Sequence, residues 1–322
     1  MRYPRFIWLV GPLAVLVGVL ALASRNWQEK TVEASQATNP AVPAAPALAV
    51  PAPAAIAFSA EHGGGLHLLD PSTGRIRKID VGMEDIGDLA YSKARRLLAF
   101  EGAKEHEEPN SLYLLDLSTK RKERIFRPKE GKEPLYRPRF DPLGHYLYAL
   151  NYSEGVRRYS LSKKAWEPVQ VVGVPSLNPQ GLAFSRSGKR VAMSPGDFRG
   201  FLVAKVKDGR FVVEEHVLSH FDCISPQWLG EHALVFAGRR VPGLQYLWKL
   251  DLASRRITQL THPPMGARDF LSLTNDDKTI VFTGSAETLE WRLWEISSDG
   301  TGLRQLTRGG SLSSHLSPVW IE

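Results

Sequence analysis

The sequence predicts an all-β fold: a six-bladed β-propeller with four-stranded blades, closed by its C-terminal strand and preceded by an N-terminal membrane helix. Three observations carry this. LWKLDLASRRITQLT, Leu247 to Thr261, returns as LWEISSDGTGLRQLT, Leu293 to Thr307, with every matching residue displaced by 46 positions. A period of about 40–50 residues marks propellers or solenoids. A short apolar strand also recurs, at Ile56-Ala57-Phe58, Leu98-Ala99-Phe100, Tyr148-Ala149-Leu150, Val191-Ala192-Met193, Leu234-Val235-Phe236 and Ile280-Val281-Phe282, at spacings of 42, 50, 43, 43 and 46. Finally, Ser225-Pro226-Gln227-Trp228 reappears as Ser317-Pro318-Val319-Trp320, two periods later.

In chain order, residues 1–24 predict a transmembrane anchor or a signal sequence. Phe6 to Ala23 is an 18-residue run without charge, just long enough to span a bilayer. Arg2 and Arg5 precede it and favour a cytoplasmic N-terminus. Ala21-Leu22-Ala23 also fits a cleavage site, so both readings stand. Either way the repeats are expected outside the cytoplasm: on a single-pass inner-membrane protein with its propeller in the periplasm, or secreted to the periplasm after cleavage. Residues 25–55 form a linker whose prolines at 40, 43, 46, 51 and 53 favour extended polyproline II.

From residue 56 to 322 each apolar marker is a second strand. A third strand follows, such as LYLLD from Leu112 or LWKLD from Leu247, then a turn and a fourth strand, such as RITQLT. First strands precede five of the markers, separated by turn clusters such as Asp141-Pro142-Leu143-Gly144 and Ser185-Arg186-Ser187-Gly188. The first copy lacks its first strand, and the C-terminal HLSPVWIE supplies it. Pairing the end of the chain with its beginning removes the raw sheet edges that an open array would leave.

The SSDGTGLRQLT stretch, the proline-then-aromatic first strands SPQW and SPVW, and the LYLLDLSTK-type third strand resemble TolB-type propeller repeats, also called WD40-like PD40 repeats. The resemblance spans residues 56–322 and is strongest in the last two copies. The aromatic-Ser-Pro-Asp-Gly turn of the family is reduced here to Phe140-Asp141-Pro142-Leu143-Gly144 and Phe184-Ser185-Arg186-Ser187-Gly188. TolB's N-terminal α/β domain is replaced by the apolar segment and spacer. The resemblance implies a six-bladed propeller, often extracytoplasmic and usually binding proteins; fold alone does not fix function.

The chemistry-bearing residues are sparse. With 43% hydrophobic and 23% charged residues and a formal charge of +7, spread without a dense basic block, no nucleic-acid partner is expected. The lone Cys223 excludes an internal disulfide and a four-thiolate zinc site. His216, His220, Asp222 and Cys223 have ligand-like spacing, but on a strand and loop the helical argument for a shared face fails, so no metal site is expected. The acidic loop around His106 is expected to be solvated, and neither a GxSxG elbow nor a phosphate-binding loop is present. Trp228, Trp248, Trp294 and Trp320 recur in register and predict core packing.

The candidate partner-binding residues are Arg137 and Arg139, alternating on the third copy's first strand, and Trp166 and Trp291, out of register and expected as exposed loop or edge aromatics. The sequence thus predicts a non-catalytic, membrane-tethered propeller without cofactors. It would bind a protein or peptide partner in the cell envelope as a scaffold or assembly factor. The alternatives are a ligand-sensing module acting through a partner chain, and a channel-site lyase or hydrolase on an acidic polysaccharide. The last requires His145, His232, His262 or His315 to converge at the channel.

Overall fold

The computed structural model describes residues 55–60, 64–104, 110–174, 178–240, 243–286, 290–308 and 314–321, and every helix or strand element among them is a β-strand. The expected membrane segment, nearly all of the linker and the loop around His106 lie outside the described residues. No helix among the described residues is long and apolar enough to cross a membrane.

The first blade joins both ends of the repeat region. Its strand order is β24 (His315–Ile321), β1 (Ala55–Ala60), β2 (Gly65–Leu69) and β3 (Ile76–Ile79). Ile56 lies opposite Trp320 and Ala57 opposite Val319, so the C-terminal strand closes this blade as the motif spacing predicts. The second blade is β4 (Asp85–Ser92), β5 (Leu97–Ala103), β6 (Ser111–Asp116) and β7 (Lys122–Phe126). The third is β8 (Tyr136–Phe140), β9 (Tyr146–Asn151), β10 (Gly155–Ser160) and β11 (Ala165–Pro168). The last is β20 (Gly266–Leu273), β21 (Thr279–Ser285), β22 (Arg292–Ser297) and β23 (Arg304–Gln305).

Between the third and last blades the structure departs from six discrete blades. There are four separate four-stranded sheets and one eight-stranded sheet. The large sheet runs β13 (Gly181–Phe184), β14 (Arg190–Ser194), β15 (Arg199–Lys207), β16 (Arg210–Leu229), β17 (Ala233–Arg239), β18 (Tyr246–Asp251) and β19 (Ile257–Gln259), with β12 (Val171–Val172) parallel to β16. The cause is the 20-residue β16. Its first half is the outer strand of the fourth repeat and its second half the inner strand of the fifth. The sequence between Val217 and Ser225 holds no Gly or Pro to break it, and Phe221 is buried at the crossover against Phe236 and Trp248. A left-handed Leu218, φ 56°, bends the strand without ending it.

The burial of each strand follows from its place in its sheet. Second strands are covered on both faces, which is why they read as continuous apolar runs. Phe58, Phe100, Phe236 and Phe282 occupy the same position in four of these strands, and each is fully buried. Full burial of such a side chain contributes roughly 1.5–3 kcal/mol. Outer strands such as β3 and β7 alternate exposed and half-buried residues. The inner strands contact one another in a closed circuit, β4 to β8, β13, β16, β20, β24 and back to β4, and enclose an axial channel.

Candidate functional site in the axial channel

Every inner strand except β13 contains a bulge. β4 slips between Ile86 and Leu89, β8 between Tyr136 and Arg139, β16 between Ile224 and Gln227, and β20 between Ala267 and Leu271; β24 slips where it faces Ala57 and Ser59. A bulge inserts unpaired residues and re-aims side chains. At three bulges the residue before a proline is left-handed: Arg137 at φ 53°, Ser225 at 53° and Ser317 at 48°. The following proline has no N–H to donate, so it fits where the ladder is broken. Left-handed geometry in a residue with a side chain costs of order 1–3 kcal/mol and gathers at functional sites.

These three residues meet on the axis. Arg137 donates through Nη1 to Ser225 Oγ at 3.1 Å, across two repeats of chain. Its Nε lies 3.8 Å from Asp88 Oδ2. Ser317 Oγ in turn donates to Asp88 Oδ1 at 2.9 Å. Four strands, β4, β8, β16 and β24, therefore hold one ionic network across the channel.

Beneath it lies Glu101, the charged residue in the otherwise apolar β5. The backbone N–H of Arg137 donates to Glu101 Oε1 at 2.6 Å. Burial, reinforced by the Asp88 carboxylate, holds the Glu101 carboxyl well above the ordinary carboxylate range, against the opposing pull of Arg137 and Arg139. Gly87 makes room for it: a Cβ there would sit 3.0 Å from Glu101 Oε2.

A cavity of 620 Å³ stands above the network, with Asp88 and Ser317 in its floor. It is walled by residues from all of the inner strands and reaches the turns between first and second strands, at Lys93, Asp141 and Arg186. Tyr91, Phe140, Phe184, Trp228 and Trp320 supply aromatic wall. Arg139 joins them, its Nη1 donating to the carbonyls of Leu89 at 3.3 Å and Pro138 at 2.8 Å. Such a slot suits an apolar or aromatic side chain, with guanidinium groups placed for a carboxylate or a peptide carbonyl.

The structure thus brings Arg137 and Arg139 together and does not bring Trp166 or Trp291 to them. Neither tryptophan is an exposed edge aromatic. Trp166 is half-buried between the second and third blades, where its Nε1 donates to Ile125 O at 2.9 Å and its ring packs on Phe126 and Tyr159. Trp291 is half-buried with the Arg268 guanidinium 4.8 Å above its ring. The Trp166 ring is covered because the seam between blades offers apolar surface to bury it against.

The His216 to Cys223 group does not converge. His216 Nε2 bonds Arg199 O, Asp222 holds Arg199 and Arg239, and burial pushes the Cys223 thiol up to about 12. No three metal-ligating side chains cluster among the described residues. His145, His232 and His262 are exposed, His315 is buried against Thr307, and none of the four lines the cavity.

Sequence reasoning missed Asp88, Glu101, Ser225 and Ser317 as site residues. Their signals were present: an X-Pro pair repeated in three first strands, and a carboxylate inside an apolar second strand.

No protein-family profile matches the chain, and no curated protein matches it. Solved structures do. The crystal structure of TolB from Acinetobacter baumannii superposes with a TM-score of 0.64 at 15% identity over 83% of this chain. The fold is that of a TolB-type propeller. A putative TolB from Agrobacterium tumefaciens superposes with a TM-score of 0.57 at 13% identity, over 81% of this chain and 92% of that one. An oligogalacturonate lyase in complex with manganese gives 0.49 at 11% identity, over 80% and 73%. This chain spans 66% of the length of the Acinetobacter protein.

Proposed function

We propose that this protein is a non-catalytic propeller of the cell envelope that holds a protein or peptide partner at the mouth of its axial cavity. Residues 1–24 would tether it to the outer side of an inner membrane. The observation that carries the reading is the cavity itself: 620 Å³, aromatic-walled, with Arg139 in its lining and an ionic network across its floor. A slot closed in this way accepts a side chain or chain terminus from the turn end rather than threading a polymer through. The left-handed residues that build the floor give the strain a purpose, because they hold charge in place before any partner arrives.

The fold shared with TolB-type propellers supports a protein partner. The uncharged run Phe6 to Ala23 and the proline-rich spacer support the tether.

In-cell photo-crosslinking tests this. A crosslinker replacing Leu143, 63% exposed on a turn at the cavity end, is expected to trap one or two envelope proteins. Arg139→Ala is expected to reduce the adduct about tenfold, the cost of one charge-assisted hydrogen bond. No adduct from the cavity end, or an adduct unchanged by Arg139→Ala, overturns the reading. Recovery of the chain in the soluble fraction after osmotic shock overturns the tether alone.

A further inference from the structure

We propose that Glu101 is a proton-operated switch beneath the cavity floor. With its proton it leaves Arg137 to brace the third repeat against the fifth; without it that brace is released. Its effect on a partner rests on the docking site proposed above, whereas the switch in the floor does not.

The surroundings of Glu101 decide this. It is 7% exposed, in an otherwise apolar strand. Three strands pack against that strand. On β6, Leu112 stands directly opposite Glu101. On β4, Glu101 falls at the bulge between Ile86 and Leu89, where a Cβ at Gly87 would sit 3.0 Å from its Oε2 and 3.1 Å from its Cβ. On β8, the Arg137 N–H donates to its Oε1 at 2.6 Å.

Among the described residues the charges acting on Glu101 are Asp88 on β4 and Arg137 and Arg139 on β8. The other titratable groups of these strands are placed elsewhere. Asp85 and Tyr91 pair with Ala103 and Leu98, toward the two ends of β4. On β6, Tyr113 stacks on Phe100 and Asp116 pairs with Leu97. Tyr136 of β8 donates to Pro179 O at 2.8 Å. Burial first, and Asp88 second, favour the neutral acid, and the two arginines oppose them without prevailing.

Arg137 is attached at both ends. Its N–H is committed to Glu101, and its guanidinium reaches Ser225 Oγ at 3.1 Å, with Asp88 Oδ2 3.8 Å from Nε. Its backbone is left-handed at φ 53°, a conformation that persists only while neighbours hold it. As a neutral acid, Glu101 holds that backbone and makes no demand on the guanidinium. Once its proton is lost to base in solution, it becomes a buried carboxylate that has to be paired. It then competes with Ser225 and Asp88 for the same guanidinium. Release reaches the cavity wall, because each Ser-Pro-x-Trp motif puts its serine in the network and its tryptophan in the wall: Ser225 with Trp228, Ser317 with Trp320.

The test is fluorine NMR of the full chain in detergent, with fluorotryptophan incorporated. The Trp228 and Trp320 signals are identified as those missing from Trp228→Phe and Trp320→Phe. Between pH about 5 and about 9.5, the wild-type Trp228 signal should show a transition, with its midpoint well above the ordinary glutamate value of about 4.3. Glu101→Gln keeps the shape and the acceptor but cannot ionise. It is expected to fold and to lose the transition. Stability gives the sign. A carboxyl whose pKa rises on folding contributes stability that is complete below its unfolded value and is lost as pH rises through the folded one. The wild-type melting temperature should therefore fall across this window relative to that of Glu101→Gln. For the partner, the crosslinked adduct at position 143 should drop severalfold from neutral to alkaline pH in wild type, a dependence that Glu101→Gln removes. No transition in wild type, a midpoint at the ordinary glutamate value, a transition that persists in Glu101→Gln, or a Glu101→Gln chain that does not fold overturns the switch. An adduct with the same pH dependence in both proteins overturns its control of the partner. If no adduct forms at any pH, the docking site itself fails and the fluorine titration alone decides the switch.

Discussion

Ser225–Trp228 and Ser317–Trp320 are one four-residue motif in two settings. In β16 the motif arrives on continuous chain from the repeat before it, and Trp228 is buried with its Nε1 donating to Ala183 O at 3.0 Å. In β24 the motif is the last inner strand, joined to β1 by strand pairing rather than by continuous chain. There Trp320 is half-buried against the cavity, and its Nε1 is buried without a hydrogen-bond partner among the described residues. The surroundings differ as well. The β16 crossover is an aromatic cluster of Phe201, Phe221, Phe236 and Trp248. The closure blade instead stacks Phe58 against two buried histidines, His67 and His315, with the buried Arg292 among the charges acting on His315. The crossover of the shared strand buries aromatic rings, whereas the seam closed by strand pairing buries two histidines against Phe58.

The largest expected effect comes from breaking the closure outright. Deleting residues 317–322 removes most of β24, exposes one edge of β1 and uncovers Ala57 and Phe58. A loss of a few kcal/mol shifts a chain of this size by roughly 2–4 °C per kcal/mol, so the melting temperature should fall by about 10 °C or more. An unchanged melting temperature would mean that β24 does not hold the ring.

That closure was legible in the sequence because it rests on a repeated motif and a missing first strand. The apolar second strands were legible because burial on both faces requires an uninterrupted hydrophobic run. The shared strand was not. Nothing in Ser219-His220-Phe221-Asp222-Cys223 separates a loop from a bent strand, and the decision lies in the packing of Phe221 against Phe236 and Trp248. The site was half legible. Arg137 and Arg139 stood out as charges on a first strand, but Asp88 and Ser225, which Arg137 meets, and Ser317, which bonds Asp88, come from other repeats, and only ring closure brings them together. Trp166 is covered by Ile125 and Phe126 of the second blade, which register within its own repeat does not disclose, and Trp291 is half-buried beneath Arg268 of its own blade.

An intermediate effect separates the two regions by pH. Burial, with the nearby Arg292 and His67, lowers His315 to about 4. His67 is lowered in the same sense, chiefly by burial. A histidine whose pKa falls on folding contributes stability that is complete above its unfolded value of about 6.5 and is lost as pH falls toward the folded value. The closure seam should therefore weaken between pH about 6.5 and 4, by at most about 1.4 kcal/mol per pH unit for each histidine. Urea unfolding of wild type and His315→Gln across this window should show a shallower fall for the variant. Parallel curves would mean that the seam histidine is protonated without cost.

The smallest effect is the most discriminating, because it changes one atom group in the same motif twice. Trp228→Phe keeps an aromatic ring in the fifth repeat but removes the N–H that Ala183 O accepts. It should cost about 0.5–1.5 kcal/mol for the hydrogen bond, with a further loss from the smaller ring. The variant also weakens the stacking of Arg190, whose guanidinium lies 5.1 Å from that ring. Trp320→Phe loses ring volume in the same way but gives up no hydrogen bond to a described residue, and it removes a buried N–H that has no acceptor among the described residues. Its stability should stay closer to wild type than that of Trp228→Phe when both are measured by urea unfolding at neutral pH. The reverse order would show that Trp320 finds a partner in solution, and its place on the cavity wall would then make it a donor to whatever enters there.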